Sequence, residues 1–464
     1  MILKKWLVSI ILVFTLFANT PTVFAENSNP PIEVLKTIIT EKALKYDIPP
    51  EVLKAIAYVE TGYKQFDNGQ PHMNADGGIG VMQVTPSKID QTVDVNRLKY
   101  DIGYNIEVAA QVLNSKWNLS YLPKMNNGER HVLENWYFPV MAYNGLSKSN
   151  DPKTNPKAAY QERVFNRIKG ASLIYWDKNY FVFPKFDLRY DEGNDTIKFP
   201  EGVHYQTAVK TESQQMYKNG ELVYVDERDG SITLRKDLEG ATTGKLLPYT
   251  PVKIVGKPAE SPKMNNDFVY YKVKGITSNG YAASSYLNRA DKENTFSDPY
   301  SDDRAAALYY MAQNGYVAGY KDGSFGSDEP LKREHVAVIL DRMLNMKMPA
   351  SYKMKAKDVK RSNPYYNQLA KAEYNGYLGN GGKLRPYEHL TRAQMAEVLV
   401  RAFDKNYKQP ASKHKFKDQR AIWNHAAVNK LYYNKVTVAD PFRPEENVTR
   451  SQFALFVYRT MVAE

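Results

Sequence analysis

Leu390-Thr391-Arg392-Ala393-Gln394 is answered 58 residues later by Val448-Thr449-Arg450-Ser451-Gln452, and each stretch opens an amphipathic helix such as Ala393 to Ala402. Leu331-Lys332-Arg333 occupies the same place earlier, so Arg333, Arg392 and Arg450 follow at intervals of 59 and 58. Asp298, Asp358 and Asp418 open the three units at intervals of 60. Between them lie Asn314-Gly315-Tyr316, Asn375-Gly376-Tyr377 and Asn434-Lys435-Val436. Then come Asp322-Gly323-Ser324-Phe325, Gly382-Lys383-Leu384-Arg385-Pro386 and Asp440-Pro441-Phe442-Arg443-Pro444. Units of this kind bury their apolar faces by stacking on each other, so three copies are expected to form one all-α body over 295–464.

Upstream the pattern changes. Leu222 to Val225, Ile232 to Leu234, Val252 to Val255 and Phe268 to Val273 are short strand-like runs. Asp229-Gly230, Pro248, Pro251 and Asn279-Gly280 punctuate them, a pattern that predicts a small all-β barrel. Residues 31–180 read mostly as helix. Pro49-Pro50 opens a segment carrying Val52, Leu53, Ile56, Ala57 and Val59, and Gly62 is its expected stop. The length of 464 residues agrees with about three domains.

The chain has no cysteine, which excludes a disulfide scaffold, a thiolate metal site and a cysteine nucleophile. Its 7 histidines form no close pair at helical spacing, so neither a metal site nor a cofactor is expected. Lys4 and Lys5, the apolar run Trp6 to Phe17, Pro21 and Val23-Phe24-Ala25 read as a signal peptide over 1–25, with an uncleaved anchor as the alternative. The formal charge of +12 falls to +10 without Lys4 and Lys5. An exported basic chain is expected to meet anionic wall polymers, with no nucleic-acid partner and no membrane contact after signal removal.

Glu60 closes the segment before Gly62. The negative end of a helix disfavours a carboxylate there, and partial burial would add to the effect, which suits a general acid at neutral pH. Downstream lie Ala75-Asp76-Gly77-Gly78-Ile79-Gly80-Val81-Met82-Gln83, Asn105-Ile106 and Ala142-Tyr143-Asn144-Gly145. The glycine-rich stretch lacks a following Lys-Ser/Thr and a preceding strand, so it is no phosphate loop.

With Glu60-Thr61, this ordered set resembles the lysozyme-like lytic transglycosylases of the soluble type, across 35–180. The resemblance implies Glu60 as catalytic acid and base. It also implies a substrate-binding set of Thr61, Gly80, Met82, Gln83, Tyr143, Asn144 and Tyr160. Thr61 and Val81 replace the family's serine and leucine, Gly145-Leu146 replaces Ala-Gly, and 114–138 is long for the family. Asp67, Asp76, Asp90, Asp94 and Asp101 are nearby in sequence. Of these Asp76 is the candidate second carboxylate, read first as a turn residue.

Ile232 to Arg235, Val252 to Val255, Tyr271 to Val273 and Gly280 to Leu287 resemble the bacterial Src-homology-three barrel, whose members contact wall peptides or serve as spacers. The C-terminal units resemble S-layer homology repeats, carried by Phe296-Ser297-Asp298, Phe325, Phe416-Lys417-Asp418 and the two stretches quoted first. That resemblance implies an anionic, pyruvylated secondary wall polysaccharide as partner. A guanidinium from Arg333, Arg392 or Arg450 would grip its carboxylate in each inter-repeat groove, with Asp298, Asp358 and Asp418 counted to the same polymer-binding surface. Lys332 stands where the other units have Thr391 and Thr449.

The expected order is therefore signal peptide 1–25, lysozyme-like domain 26–185, connecting extension 186–224, barrel 225–290, and repeats at 295–345, 355–405 and 415–464. The expected protein is a secreted enzyme, attached to the cell wall or S-layer, that cleaves the β-1,4 bond of peptidoglycan after N-acetylmuramic acid and leaves a 1,6-anhydro end. A hydrolytic muramidase and a non-catalytic glycan-binding surface protein are the alternatives.

Overall fold

The computed structural model describes residues 27–462 apart from Asp90, 175–177, Asp229, Glu239, Asn380 and Gly381, and the expected signal peptide lies outside the described residues. Six helices build the N-terminal part: α1 (Ile32–Lys45), α2 (Pro50–Thr61), α3 (Val95–Tyr100), α4 (Ile102–Trp117), α5 (Tyr137–Asn144) and α6 (Tyr160–Ala171). Pro50 opens α2, where its missing N–H has no partner to lose, and Gly62 ends it at φ 64°, a left-handed conformation that glycine adopts without strain. Asp94 and Asp101 cap α3 and α4 by accepting the backbone N–H of Arg97 and Tyr104. The helices close over a core that includes Trp136, Tyr137 and Phe138.

Two short hairpin strands, β1 (Phe66–Asp67) and β2 (Gln70–Pro71), follow α2. Strand β3 (Lys124–Met125) pairs in parallel with β4 (His204–Tyr205). The extension 186–224 is thereby more than a connection. Phe186 and Tyr205 pack on Phe138, and Ile197 is buried in the helical core.

The β region, expected as a small barrel, forms one seven-stranded antiparallel sheet. Its strands are β5 (Leu222–Val225), β6 (Ile232–Arg235), β7 (Thr242–Leu246), β8 (Pro251–Glu260), β9 (Val269–Lys274), β10 (Asn279–Ala283) and β11 (Leu287–Arg289). They lie in the order β11-β5-β8-β9-β10-β6-β7, so the described pairings end at β11 and β7. In β9 the buried residues Val269, Tyr271 and Val273 alternate with outward-facing Tyr270, Lys272 and Lys274, the period-2 pattern of a half-buried strand.

The C-terminal body uses α7 (Asp302–Gln313), α8 (Arg333–Leu344), α9 (Tyr366–Tyr374), α10 (Arg392–Phe403), α11 (His425–Tyr433) and α12 (Arg450–Met461), two helices per unit. The units close on each other in a ring. The Leu331 N–H donates to the Val448 carbonyl at 2.8 Å, Val448 to Leu390 at 2.8 Å, and Leu390 to Leu331 at 2.9 Å. Isolated bridges Pro330–Thr449, Lys332–His389 and Thr391–Asn447 flank this centre. The units are helical, but the links between them are β-like, which an all-α description misses.

Candidate functional site

The penultimate position of α2 points the Glu60 carboxylate toward the first residue of α6, where the Tyr160 hydroxyl donates to its Oε1 at 2.6 Å. Burial pushes the Glu60 carboxyl above its ordinary pKa, against the opposing pull of the Tyr160 hydrogen bond and the Arg163 charge. Tyr143, near the end of α5, donates to the Met82 carbonyl at 2.8 Å. Burial, and then the charge of Glu60, drives the Tyr143 and Tyr160 hydroxyls far above their ordinary range, so both stay protonated as donors.

The segment 79–83 lies beside these groups because three side chains grip its backbone. Thr61 Oγ1 donates to the Val81 carbonyl at 3.0 Å. Gln65 accepts the Val81 N–H at 2.9 Å and donates to the Leu98 and Lys99 carbonyls. Asn105 accepts the Met82 N–H at 3.1 Å and donates to the Ile79 carbonyl at 2.8 Å. Gly80 fits between them at φ 69°, where a Cβ would stand 2.4 Å from Gln65 Oε1 and 2.6 Å from Asn105 Nδ2. Gly80 and Met82, expected in the substrate-binding set, are both buried. Gln83 folds its amide back onto the Gly80 carbonyl at 2.8 Å. Asn144 is exposed and accepts from Asn150 at 3.0 Å, while Asn150 accepts the Tyr160 N–H at 3.1 Å, so these residues position the start of α6. Gln65 and Asn150 were not legible in the sequence, because isolated amides between elements produce no periodic signal.

Asp76 occupies an exposed turn. Asp67 pairs with His72, and Asp94 and Asp101 cap helices. Asp90 lies outside the described residues.

In the C-terminal body the arginine that recurs in each unit begins a helix and reaches into the next unit of the ring. Arg333 Nε donates to the Leu384 carbonyl at 2.7 Å, Arg392 Nε to Phe442 at 2.7 Å, and Arg450 Nε to Phe325 at 2.9 Å. The guanidinium of Arg392 lies 4.9 Å from the Phe442 ring centre, and that of Arg450 lies 4.5 Å from Phe325. Arg333 also donates from a terminal nitrogen to Gln394 at 3.1 Å. Asp298, Asp358 and Asp418 each accept two backbone N–H groups of their own unit's loop, from Phe325 and Ser327, Leu384 and Arg385, and Phe442 and Arg443. Burial alone would raise the first two carboxyls, but these backbone bonds hold Asp298 and Asp358 below the ordinary range.

The family model for the transglycosylase SLT domain matches residues 37–165, and that for the S-layer homology domain matches 295–337 and 415–454. An S-layer protein of Bacillus licheniformis is 28% identical over 161 residues, which cover 33% of this chain and 18% of that relative. An amylopullulanase of Thermoanaerobacterium thermosulfurigenes is 26% identical over 243 residues, covering 49% of this chain and 13% of the relative. An uncharacterized cell wall amidase of Bacillus anthracis is 25% identical over 178 residues, covering 37% and 33%. The chain thus spans less than a fifth of the first two relatives. Among the described residues no helix is long and apolar enough to cross a membrane. Residues 37–165 are therefore similar to transglycosylase SLT domains, and the stretches 295–337 and 415–454 that follow are similar to S-layer homology domains.

Proposed function

We propose that the protein is an exported peptidoglycan lytic transglycosylase, held at the cell wall or S-layer by its C-terminal repeats. Glu60 carries this reading. Burial raises the pKa of this carboxyl and so favours its protonated form, the form that would donate to the glycosidic oxygen as the C1–O bond breaks. The resulting carboxylate then takes the proton from the 6-hydroxyl of the same N-acetylmuramic acid as that oxygen bonds to C1. The proton count balances, no water is consumed, and a 1,6-anhydro end results. Tyr160 orients the carboxyl, and Gln83, Tyr143 and Asn144 border the glycan cleft. Gly80, Met82 and Thr61 support its floor.

A hydrolytic muramidase would need a second carboxylate, and Asp76 is the candidate in an exposed turn. Mass spectrometry of digested walls distinguishes the two products, and reducing muramic acid ends alone would promote Asp76. The Glu60→Gln variant is expected to bind walls but not clear them. Equal clearing by that variant would remove Glu60 from the mechanism and favour a non-catalytic glycan-binding protein.

The proposed wall partner is an anionic, pyruvylated polysaccharide. Arg392 and Arg450 each donate from Nε to a carbonyl of the next unit, and among the described residues their terminal nitrogens make no hydrogen bond, which leaves them for a bidentate carboxylate bond. Arg333 has one terminal nitrogen committed to Gln394, so its groove is the weaker one. Export would use the signal peptide at 1–25, and the repeats are assigned to 295–345, 355–405 and 415–464.

A further inference from the structure

A buried polar cluster joins the sheet to the catalytic helices, and its centre is Asp267 in the segment between β8 and β9. Asp267 is 1% exposed. Arg167 on α6 binds its carboxylate with both arms of the fork, Nε to Oδ2 at 2.7 Å and a terminal nitrogen to Oδ1 at 3.0 Å. The Tyr63 hydroxyl, just past the end of α2, donates to Oδ1 at 2.7 Å. Lys36 of α1 stands 3.4 Å from the same oxygen. The Asp267 carbonyl accepts from Lys54 of α2 at 3.2 Å and from Gln215 at 2.8 Å, and its N–H donates to the Ala171 carbonyl at the end of α6 at 2.8 Å. One residue of the sheet module thus contacts α1, α2 and α6.

The placement relative to Glu60 gives this contact a consequence. Arg167 and Tyr160 are seven residues apart on α6, two turns along one face. At one end of that face Tyr160 meets Glu60. At the other the Arg167 guanidinium lies 3.6 Å from the ring centre of Tyr58, two residues before Glu60, and Tyr63 follows three residues after it. Without Asp267 the Arg167 charge would be buried against Tyr58 with no counter-ion, and α2 and α6 would have to part to rehydrate it. We infer that Asp267 is a positioning residue for Glu60: the sheet supplies the anion that locks α2 to α6 and sets the Glu60–Tyr160 contact. The sheet is then part of the enzyme and not a spacer. This rests on the reading of Glu60 as the acid.

The test uses the full chain and solubilised peptidoglycan. Asp267→Asn is expected to lower kcat about tenfold or more while KM stays within about twofold, because positioning acts on the reacting geometry and the glycan contacts remain. Its alkaline pH limb is expected to move to lower pH, since a loosened α2–α6 contact admits water to Glu60, and relief of burial, the largest influence on its pKa, outweighs the weakened Tyr160 hydrogen bond. Tyr63→Phe keeps the ion pair and removes one hydrogen bond, so a smaller loss in kcat with the same limb movement is expected. Lys257→Ala breaks an exposed ion pair to Glu41 across the same two modules and is expected to change neither. If Asp267→Asn fails to fold, Tyr63→Phe decides. Folded variants with the parent's kcat and pH limb would overturn the inference. Glu60→Gln run alongside separates the two ideas: a dead Glu60→Gln with unaffected Asp267 and Tyr63 variants sinks only the positioning role, whereas an active Glu60→Gln sinks the acid assignment beneath it.

Discussion

Glu60 illustrates a residue whose chemistry conflicts with its stability. Its pKa in the fold lies above the unfolded value, so the protonated form is the one the fold prefers. The sign follows directly. Stability is fullest below the unfolded pKa and declines as pH rises toward the folded one. Glu60→Gln removes the titrating group, so its melting temperature is expected to exceed the parent's by a margin that grows from acid to neutral pH. A margin independent of pH would contradict the raised pKa. Tyr160→Phe acts in the other direction on catalysis. It removes a hydrogen bond that favours the carboxylate, so the alkaline limb of the rate profile should move to higher pH while kcat falls. Gly80→Ala meets both a left-handed backbone and the Gln65 and Asn105 amides. Urea denaturation should show a loss on the order of 2–4 kcal/mol for it, from the two penalties together.

At the level of elements, the three repeat helices that begin with arginine do not start equally well. Thr391 with Gln394, and Thr449 with Gln452, form capping boxes that satisfy two backbone N–H groups at each helix start. At α8 the cap is Lys332 and no side chain bonds the backbone. Thr391→Ala should therefore cost about 1 kcal/mol of stability. The pair Lys332→Thr with His335→Gln should add about as much by building a box on α8, read as a rise in thermal midpoint. Helix limits were legible where proline or glycine marks them, as at Pro50 and Gly62. Strand β7 was not, because Thr242 to Leu246 has only one buried position, Leu246, and its pairing with β6 supplies what its pattern lacks.

Among the described residues, three hydrophobic cores are joined by polar contacts. Lys54 and Glu260 form a buried pair between helices and sheet. Asp302 accepts the Ile276 N–H at 2.6 Å, and the Tyr458 hydroxyl donates to the Pro248 carbonyl at 2.8 Å, tying the sheet to the repeats. Wall retention should depend on the ring of arginines unequally. Arg392→Ala with Arg450→Ala is expected to leave most of the protein in the supernatant after sedimentation with purified walls, while Arg333→Ala leaves most of it bound. Undiminished sedimentation of the double variant, confirmed as folded, would count against the grooves as the anchor.

The order of helical part, β region and repeats, and the phase of the repeats, could be read from the sequence alone, and the same motif order nominates Glu60, because periodicity, turn residues and motif order are local properties of the chain. The motifs also placed Tyr160 and Tyr143 beside Glu60, but not the polar groups that hold these residues in position. Gln65, Asn150 and Asp267 act through partners 33, 10 and 100 residues away, and no local pattern encodes a hydrogen bond across that separation. The same holds for the extension 186–224, whose aromatic residues join the helical core, and for the ring in which the third unit closes on the first. Only folding brings those groups within bonding distance, since burial leaves each polar group seeking whichever partner the packed chain supplies.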